Sequence, residues 1–275
     1  MSIDLIKVND YIDTFVRLID EQRVNAYKGK LKVGVDLGTA NIVLAVVDES
    51  GQAVAGALQP SSVVRDGLIV DYVGAVAIVK TLKEQVEGLL GTTLTYAATA
   101  VPPGTIDGNR KAFSNVVESA GMDVSNIVDE PTAAATVLGL SDGIVVDVGG
   151  GTTGISILKN GTVTYTADEP TGGTHMSLVI AGNYHISFKE ADELKKDPAR
   201  QREIFPIVRP VIEKMASIVK RHISGVESTD IYIVGGASCF DEFEEVFYEE
   251  IGMRIIKPAH PLFITPLGIA LNGMK

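Results

Sequence analysis

Apolar positions along the chain follow two rhythms. From Asp10 to about Val24, the residues Tyr11, Ile12, Phe15, Val16 and Ile19 recur at helical spacing, which predicts an amphipathic helix ended by Lys28-Gly29-Lys30. Such a helix is either a strap packed on the main body or a docking element for a partner. The segments LKVGVD, NIVLAVV and QAVAGAL then form short apolar runs broken by Gly38-Thr39 and by Asp48-Glu49-Ser50-Gly51, the pattern of a three-stranded antiparallel meander. Arg65-Asp66-Gly67 marks a further turn. Val73 to Leu90 has the helical period, and TYAATAV reads as a buried strand halted by Pro102-Pro103. Asp107 is placed to cap a helix running to Ala120, with Gly121 just beyond. NIVDE is strand-like, and PTAAATVLGL opens a helix with proline at its first position.

From Gly143 the pattern restarts. GIVVDV, TGISIL and TVTYTA make a second meander, with Gly149-Gly150-Gly151 at its first turn and Lys159-Asn160-Gly161 at its second. Helices are predicted from about Thr174 to Gly182 and from Ser187, whose spacing to Glu190 makes a capping box. Pro206 and Pro210 are expected to interrupt the next helical stretch, which resumes from Pro210 to about Ile223 and leads into the strand DIYIVGG. A helix from Asp241 to Glu250, the strand MRIIKP and a short helix from Pro266 follow. Meander, helices and buried strands thus occur twice with little residue identity, which predicts two similar α/β lobes with a cleft between them.

Length and composition sharpen this picture. The 275 residues suffice for one large or two medium domains, and 45% apolar against 21% charged residues excludes disorder as the main state. A net charge of −11 argues against a nucleic-acid backbone or an anionic membrane as the main partner. No stretch approaches the roughly 20 apolar residues of a membrane span, and the first residues carry acids through their apolar pattern, unlike a secretory signal. The expected location is the cytoplasm. Cys239 is the sole cysteine, which excludes an intrachain disulfide, a cysteine-rich zinc site and a Cys-x-x-Cys redox pair. His175, His185, His222 and His260 are scattered, without the paired spacing of zinc hydrolases.

Each meander opens with an apolar strand ending in Asp, a glycine turn and threonine: VGVDLGTAN around Asp36 and VVDVGGGTTG around Asp147, 111 residues later. Glycines let backbone N–H groups approach phosphate oxygens, threonine hydroxyls add donors, and two carboxylates can hold Mg²⁺ or its waters. One such hairpin is weak evidence, because Asp and Gly populate ordinary turns; two, each opening a lobe, are much stronger. Gly149-x-Gly151-x-x-Gly154 also matches the dinucleotide fingerprint, with Asp168 and Glu169 near the place of a ribose-binding acid. That reading fails because a strand and turn, not a helix, follow the glycines. No P-loop sequence is present. Glu130, at a strand-to-helix junction, is a candidate for orienting an attacking water, or simply an acid favoured at a helix N-terminus. Gly172-Gly173-Thr174 can receive terminal phosphate oxygens or merely cap a helix. Gly235-Gly236-Ala237-Ser238 ends a strand and opens a helix, where small residues admit a base and ribose or allow close packing.

Together these segments resemble the actin, sugar-kinase and heat-shock-chaperone ATPase superfamily over about Lys32 to Leu271. VGVDLGTAN is similar to its first phosphate motif, VDEPTAAA to a connecting segment, VVDVGGGTTGISIL to its second phosphate motif and IVGGAS to its adenosine motif. RDGLIVDYVGAV, ADEPTGGTHMSLVIAGN and HISFKEADELKK resemble more closely a chaperone-like branch found among ethanolamine-utilisation and microcompartment proteins. The resemblance implies an actin-like, ribonuclease H-like α/β fold. Its lobes would be residues 30–142 with 260–275, and 143–259, after an N-terminal helix at 1–29.

It further implies Mg-ATP or Mg-ADP between the lobes, with Asp36 and Asp147 at the metal. Gly38, Thr39 and Asn41 would lie on one side of the phosphates and Gly149, Gly150, Gly151, Thr152 and Thr153 on the other. Glu130 would orient water. Gly172, Gly173 and Thr174 would face the terminal phosphate, and Gly235, Gly236 and Ser238 the adenosine. Glu193 and Lys195 would border the ribose or base, although side chains of this length read first as a solvated face. The implied partners are ethanolamine-pathway enzymes or microcompartment proteins, and the implied role is a nucleotide-dependent switch for their assembly or reactivation, with weak ATP hydrolysis. A non-hydrolysing scaffold, a small-molecule kinase and a polymer subunit are the alternatives.

The sequence also departs from the family. Ala40 stands where the chaperones have a second threonine, Gly154 where many relatives have an aspartate, and no lysine of this sequence is placed at the chaperones' catalytic lysine. About 33 residues separate Lys196 from Asp230, too few for the extra sheet of the second lobe, whose upper subdomain is therefore reduced.

Overall fold

The computed structural model describes residues 4–65, 67–226 and 230–273. Helix α1 (Leu5–Asp20) precedes the strands β1 (Lys32–Leu37), β2 (Asn41–Val47) and β3 (Ala53–Pro60) and a two-residue ribbon of β4 (Val64–Arg65) and β5 (Leu68–Ile69). Then come α2 (Tyr72–Leu90), β6 (Tyr96–Val101), α3 (Asp107–Ser119), β7 (Asp123–Asp129) and α4 (Glu130–Leu138). The second half holds β8 (Gly143–Val148), β9 (Thr153–Lys159), β10 (Thr162–Glu169), α5 (Gly173–Tyr184), α6 (Phe188–Lys196) and α7 (Gln201–His222). It continues with β11 (Asp230–Val234), α8 (Phe243–Ile251), β12 (Arg254–Ile256) and α9 (Ile264–Leu271).

Two five-stranded sheets carry one topology twice: β3-β2-β1-β6-β7 and β10-β9-β8-β11-β12. In each, the meander is antiparallel and the last two strands run parallel to the first. The predicted pair of α/β lobes is therefore present. One core packs α2 and α3 on the first sheet, a second packs α5, α7 and α8 on the other, and a third joins both sheets through α1, α4 and α9. Close approach in this middle layer depends on glycine. A Cβ on Gly34 would lie 2.4 Å from the Ala270 nitrogen, and one on Gly268 would lie 1.9 Å from the Ala133 carbonyl oxygen.

Several boundaries differ from expectation. Helix α1 starts at Leu5 behind an Asp4 cap and ends at Asp20. It packs as a strap: the Tyr11 hydroxyl donates to Gly51 O at 2.8 Å, Asn9 Oδ1 accepts from the Ala259 N–H at 2.9 Å, and Phe15 meets Phe263 edge to face. Asp107 is the first residue of α3 rather than its cap, which is Ile106. Pro131 is the second residue of α4, because Asp129 caps that helix by accepting from the Thr132 N–H and makes Glu130 the first. Helix α7 runs unbroken through Pro206 and Pro210. Both prolines lie on its exposed side, where water can meet the carbonyls they leave unpaired, while Ile204, Phe205, Val208, Ile212, Met215 and Val219 hold the other side in the core. Gly236–Ser238 forms one 3-10 turn, not the start of a helix. Asp66 of the expected turn lies outside the described residues. Among those described, no helix is long and apolar enough to cross a membrane.

Candidate functional site

Strand alternation sets the two aspartates. In β1, Val33, Val35 and Leu37 enter the first core, so Asp36 projects from the opposite face, toward the other lobe. In β8, Ile144, Val146 and Val148 enter the second core and turn Asp147 to the facing side. Between them is a cleft of about 460 Å³, within the roughly 300–1,000 Å³ of small-molecule sites.

Asp36, Gly38, Thr39 and Asn41 line this cleft from the first hairpin, and Asp147, Gly149, Gly150, Gly151 and Thr152 from the second. Glu130 lines it from the first turn of α4, and Glu193, Lys195, Gly173, Gly235 and Gly236 complete the group of sequence-selected residues that meet there. The hairpins touch: a Cβ on Gly150 would sit 3.1 Å from Thr39 Cβ and 3.3 Å from Ala40 Cβ. Gly38 is equally constrained, with Asn41 O 2.7 Å from its would-be Cβ.

Crowded carboxylates dominate the electrostatics. Burial, then the Asp147 charge, pushes the Asp36 carboxyl up to about 7. Burial also raises Asp147, opposed by the Thr265 hydroxyl, which donates to its Oδ2 at 2.7 Å. Glu130 is raised well above the usual range by burial and by the charges of Asp147, Asp36, Asp168 and Asp129. Burial lifts Asp168 to about 6, against a hydrogen bond from Thr152. Such a set of hard oxygen ligands, all raised by burial and Asp36, Glu130 and Asp168 also by neighbouring acids, suits a divalent cation that would relieve the repulsion. Among the described residues no three His, Cys, Asp or Glu side chains converge as a metal cage. Asp36 and Asp147 would therefore hold Mg²⁺ with help from waters or ligand oxygens.

Other selected residues are turned to different tasks. Thr153 is fully buried and donates its hydroxyl to Thr171 O at 2.7 Å, away from the cleft. Ser238 is also fully buried and closes its own turn by donating to Gly235 O at 2.7 Å. Gly235, at φ +90°, lies against Asp147: a Cβ there would be 2.3 Å from its Oδ1. At the start of α5, the Gly173 N–H donates to Gly149 O at 3.0 Å and the Thr174 N–H to Gly150 O at 2.7 Å. The Gly172 N–H reaches His175 Nδ1 at 3.3 Å. These amides, expected to face a terminal phosphate, are spent on the second hairpin and on the helix itself. Lys195 is not on a solvated face: its side chain is 13% exposed and bound to the first turn of α5.

Sequence reasoning missed Thr265, which sits in an apolar helix and carries no motif. Sequence reasoning offers Asp168 only as a ribose-binding acid, although the β9–β10 register sets it opposite Gly154, beside the second hairpin. Lys196 also lines the cleft.

A family model described as Hsp70 protein matches residues 70–247. The ethanolamine utilization protein EutJ of Escherichia coli (strain K12) is 47% identical over 251 residues, 91% of this chain and 88% of that protein. The crystal structure of ethanolamine utilization protein EutJ from Carboxydothermus hydrogenoformans is 53% identical with a TM-score of 0.94, covering 98% of this chain and 100% of that one. MreB5 of Spiroplasma citri, solved bound to ADP, is 18% identical with a TM-score of 0.70 over 87% of this chain and 94% of its own, a likeness of fold alone.

Proposed function

The chain belongs to the EutJ family of ethanolamine utilization proteins, and from that premise we propose that it is a nucleotide-dependent switch: Mg-ATP closes the two lobes, and a pathway enzyme or microcompartment protein reads the closure. The observation that carries this reading is the contact of the two glycine hairpins, each following an inward-turned aspartate, at one cleft. Glycine amides of both hairpins would hold the phosphates, with Asn41 beside them. Bound Mg²⁺ would neutralise phosphate charge. Asp36 and Asp147 would anchor its waters, and Glu130, on the rigid first turn of α4, would orient and polarise an attacking water. Gly235 and Gly236 would leave room for the nucleoside. Residues 30–142 with 260–275 and residues 143–259 would then move as the two lobes, with α1 as a strap that touches both.

We place the protein in the cytoplasm, associated with a microcompartment. One observation favours a second reading, a non-hydrolysing scaffold: the amides of Gly173 and Thr174 are already bonded to hairpin carbonyls. Small-angle scattering with and without Mg-ATP separates the two. A smaller radius of gyration on addition supports the switch, and an unchanged profile favours the scaffold.

A further inference from the structure

We infer that Lys196, not Lys195, is the cation of α6 that meets the phosphate chain of a bound nucleotide, and that Lys195 is a strut; this assignment rests on the nucleotide reading above. An ammonium group has three N–H donors. Lys195 Nζ spends all three inside the protein, on Gly173 O at 3.0 Å, Ser177 Oγ at 2.8 Å and Asp192 Oδ1 at 2.7 Å. Its acceptor Gly173 is the residue whose own N–H is held by Gly149 O. Lys195 thus ties α6 to the first turn of α5, and through it to the second hairpin. It has no donor left for a ligand.

Lys196 differs in each respect. It lines the same cleft, its side chain is 41% exposed, and among the described residues its ion-pair partner is Asp192, whose Oδ2 lies 2.6 Å away. Among the described residues nothing else takes its other two donors. Asp192 is shared between the two lysines. Burial opposes its ionisation, but the Lys195 ammonium and the bonds from both lysines hold its carboxyl down at about 2. The Lys196 ammonium is thus only partly compensated by its ion pair, although with Glu193 counted this wall is formally neutral, so it is free donors on Lys196 rather than an excess of charge that face the cleft. Glu193 lines the cleft as well, and among the described residues it pairs with neither lysine. Elsewhere the cleft presents the acids Asp36, Glu130 and Asp147. A polyanion entering it needs cations at both ends: Mg²⁺ beside the aspartates and Lys196 on α6.

The test is calorimetric titration of Mg-ATP into the wild type, Lys196→Ala, Lys196→Arg and Lys195→Met, at several NaCl concentrations and with thermal midpoints recorded. Lys196→Ala should weaken binding about tenfold, flatten its salt dependence and leave the midpoint in place, with Lys196→Arg restoring most of the affinity. Lys195→Met should lower the midpoint. Wild-type affinity in Lys196→Ala, or an unchanged salt dependence, overturns the assignment of Lys196. An unmoved midpoint with weakened binding in Lys195→Met overturns the strut. A wild type that binds no Mg-ATP overturns the nucleotide reading itself, and this assignment with it.

Discussion

Thr265 donates its hydroxyl to Asp147 Oδ2 at 2.7 Å, across 118 residues of sequence. Helix α9, which carries Thr265, packs on β1 and α4, whereas Asp147 lies in the other sheet, so the donor ties an acid of one lobe to the closing helix of the other. Thr265→Val removes a bond that favours the charged acid, and the Asp147 pKa rises further. Mg-ATP affinity should fall several-fold, and more at pH 6 than at pH 8. A loss independent of pH would contradict this role.

Asp36 predicts the sign of a pH effect on stability. Its carboxyl stands at about 7, above the ordinary 3.8. Between those values the folded chain binds more protons than the unfolded one, so this group's contribution to stability is lost as pH rises from about 4 to about 7. Asp36→Asn removes the dependence. Its melting temperature should climb relative to wild type through that window and then level off, by roughly 2–4 °C per kcal/mol relieved. A difference that stays flat with pH would refute it.

Glu130→Gln keeps the shape of the α4 turn and removes the carboxylate that would polarise water. Phosphate release should drop about 100-fold or more, with Mg-ATP affinity equal or higher because one buried acid fewer repels the phosphates. Equal losses of affinity and turnover would reassign Glu130 to binding.

Gly268→Ala tests the middle layer. A new Cβ would stand 1.9 Å from Ala133 O, against backbone that no rotamer change can move. Overpacking of this kind costs about 1–3 kcal/mol, read as a lowered midpoint of denaturant unfolding. A stability equal to wild type would show that α4 and α9 can part without cost.

The double meander was legible because period-two alternation and glycine turns are local; the repeat of that unit pointed to Asp36 and Asp147 at one cleft, which the packing of the two sheets through α1, α4 and α9 closes. What stayed hidden depends on long-range packing. No spacing rule connects Thr265 to Asp147, and the burial of Lys195 follows from how α6 docks on α5. Thr153 and Ser238 sit within phosphate- and nucleoside-like motifs, yet their hydroxyls turn into the protein because neighbouring carbonyls need donors. Pro206 and Pro210 misled for a related reason: the apolar stripe of α7 outweighs two missing N–H groups when both lie toward solvent.

The most direct measurement is calorimetric titration of Mg-ATP into the wild type and into Asp147→Asn at neutral pH. Binding in the wild type that is lost in the variant is the result expected for a nucleotide held between the two hairpins. Equal binding by both proteins would move the nucleotide elsewhere, and no binding at millimolar Mg-ATP would contradict the switch.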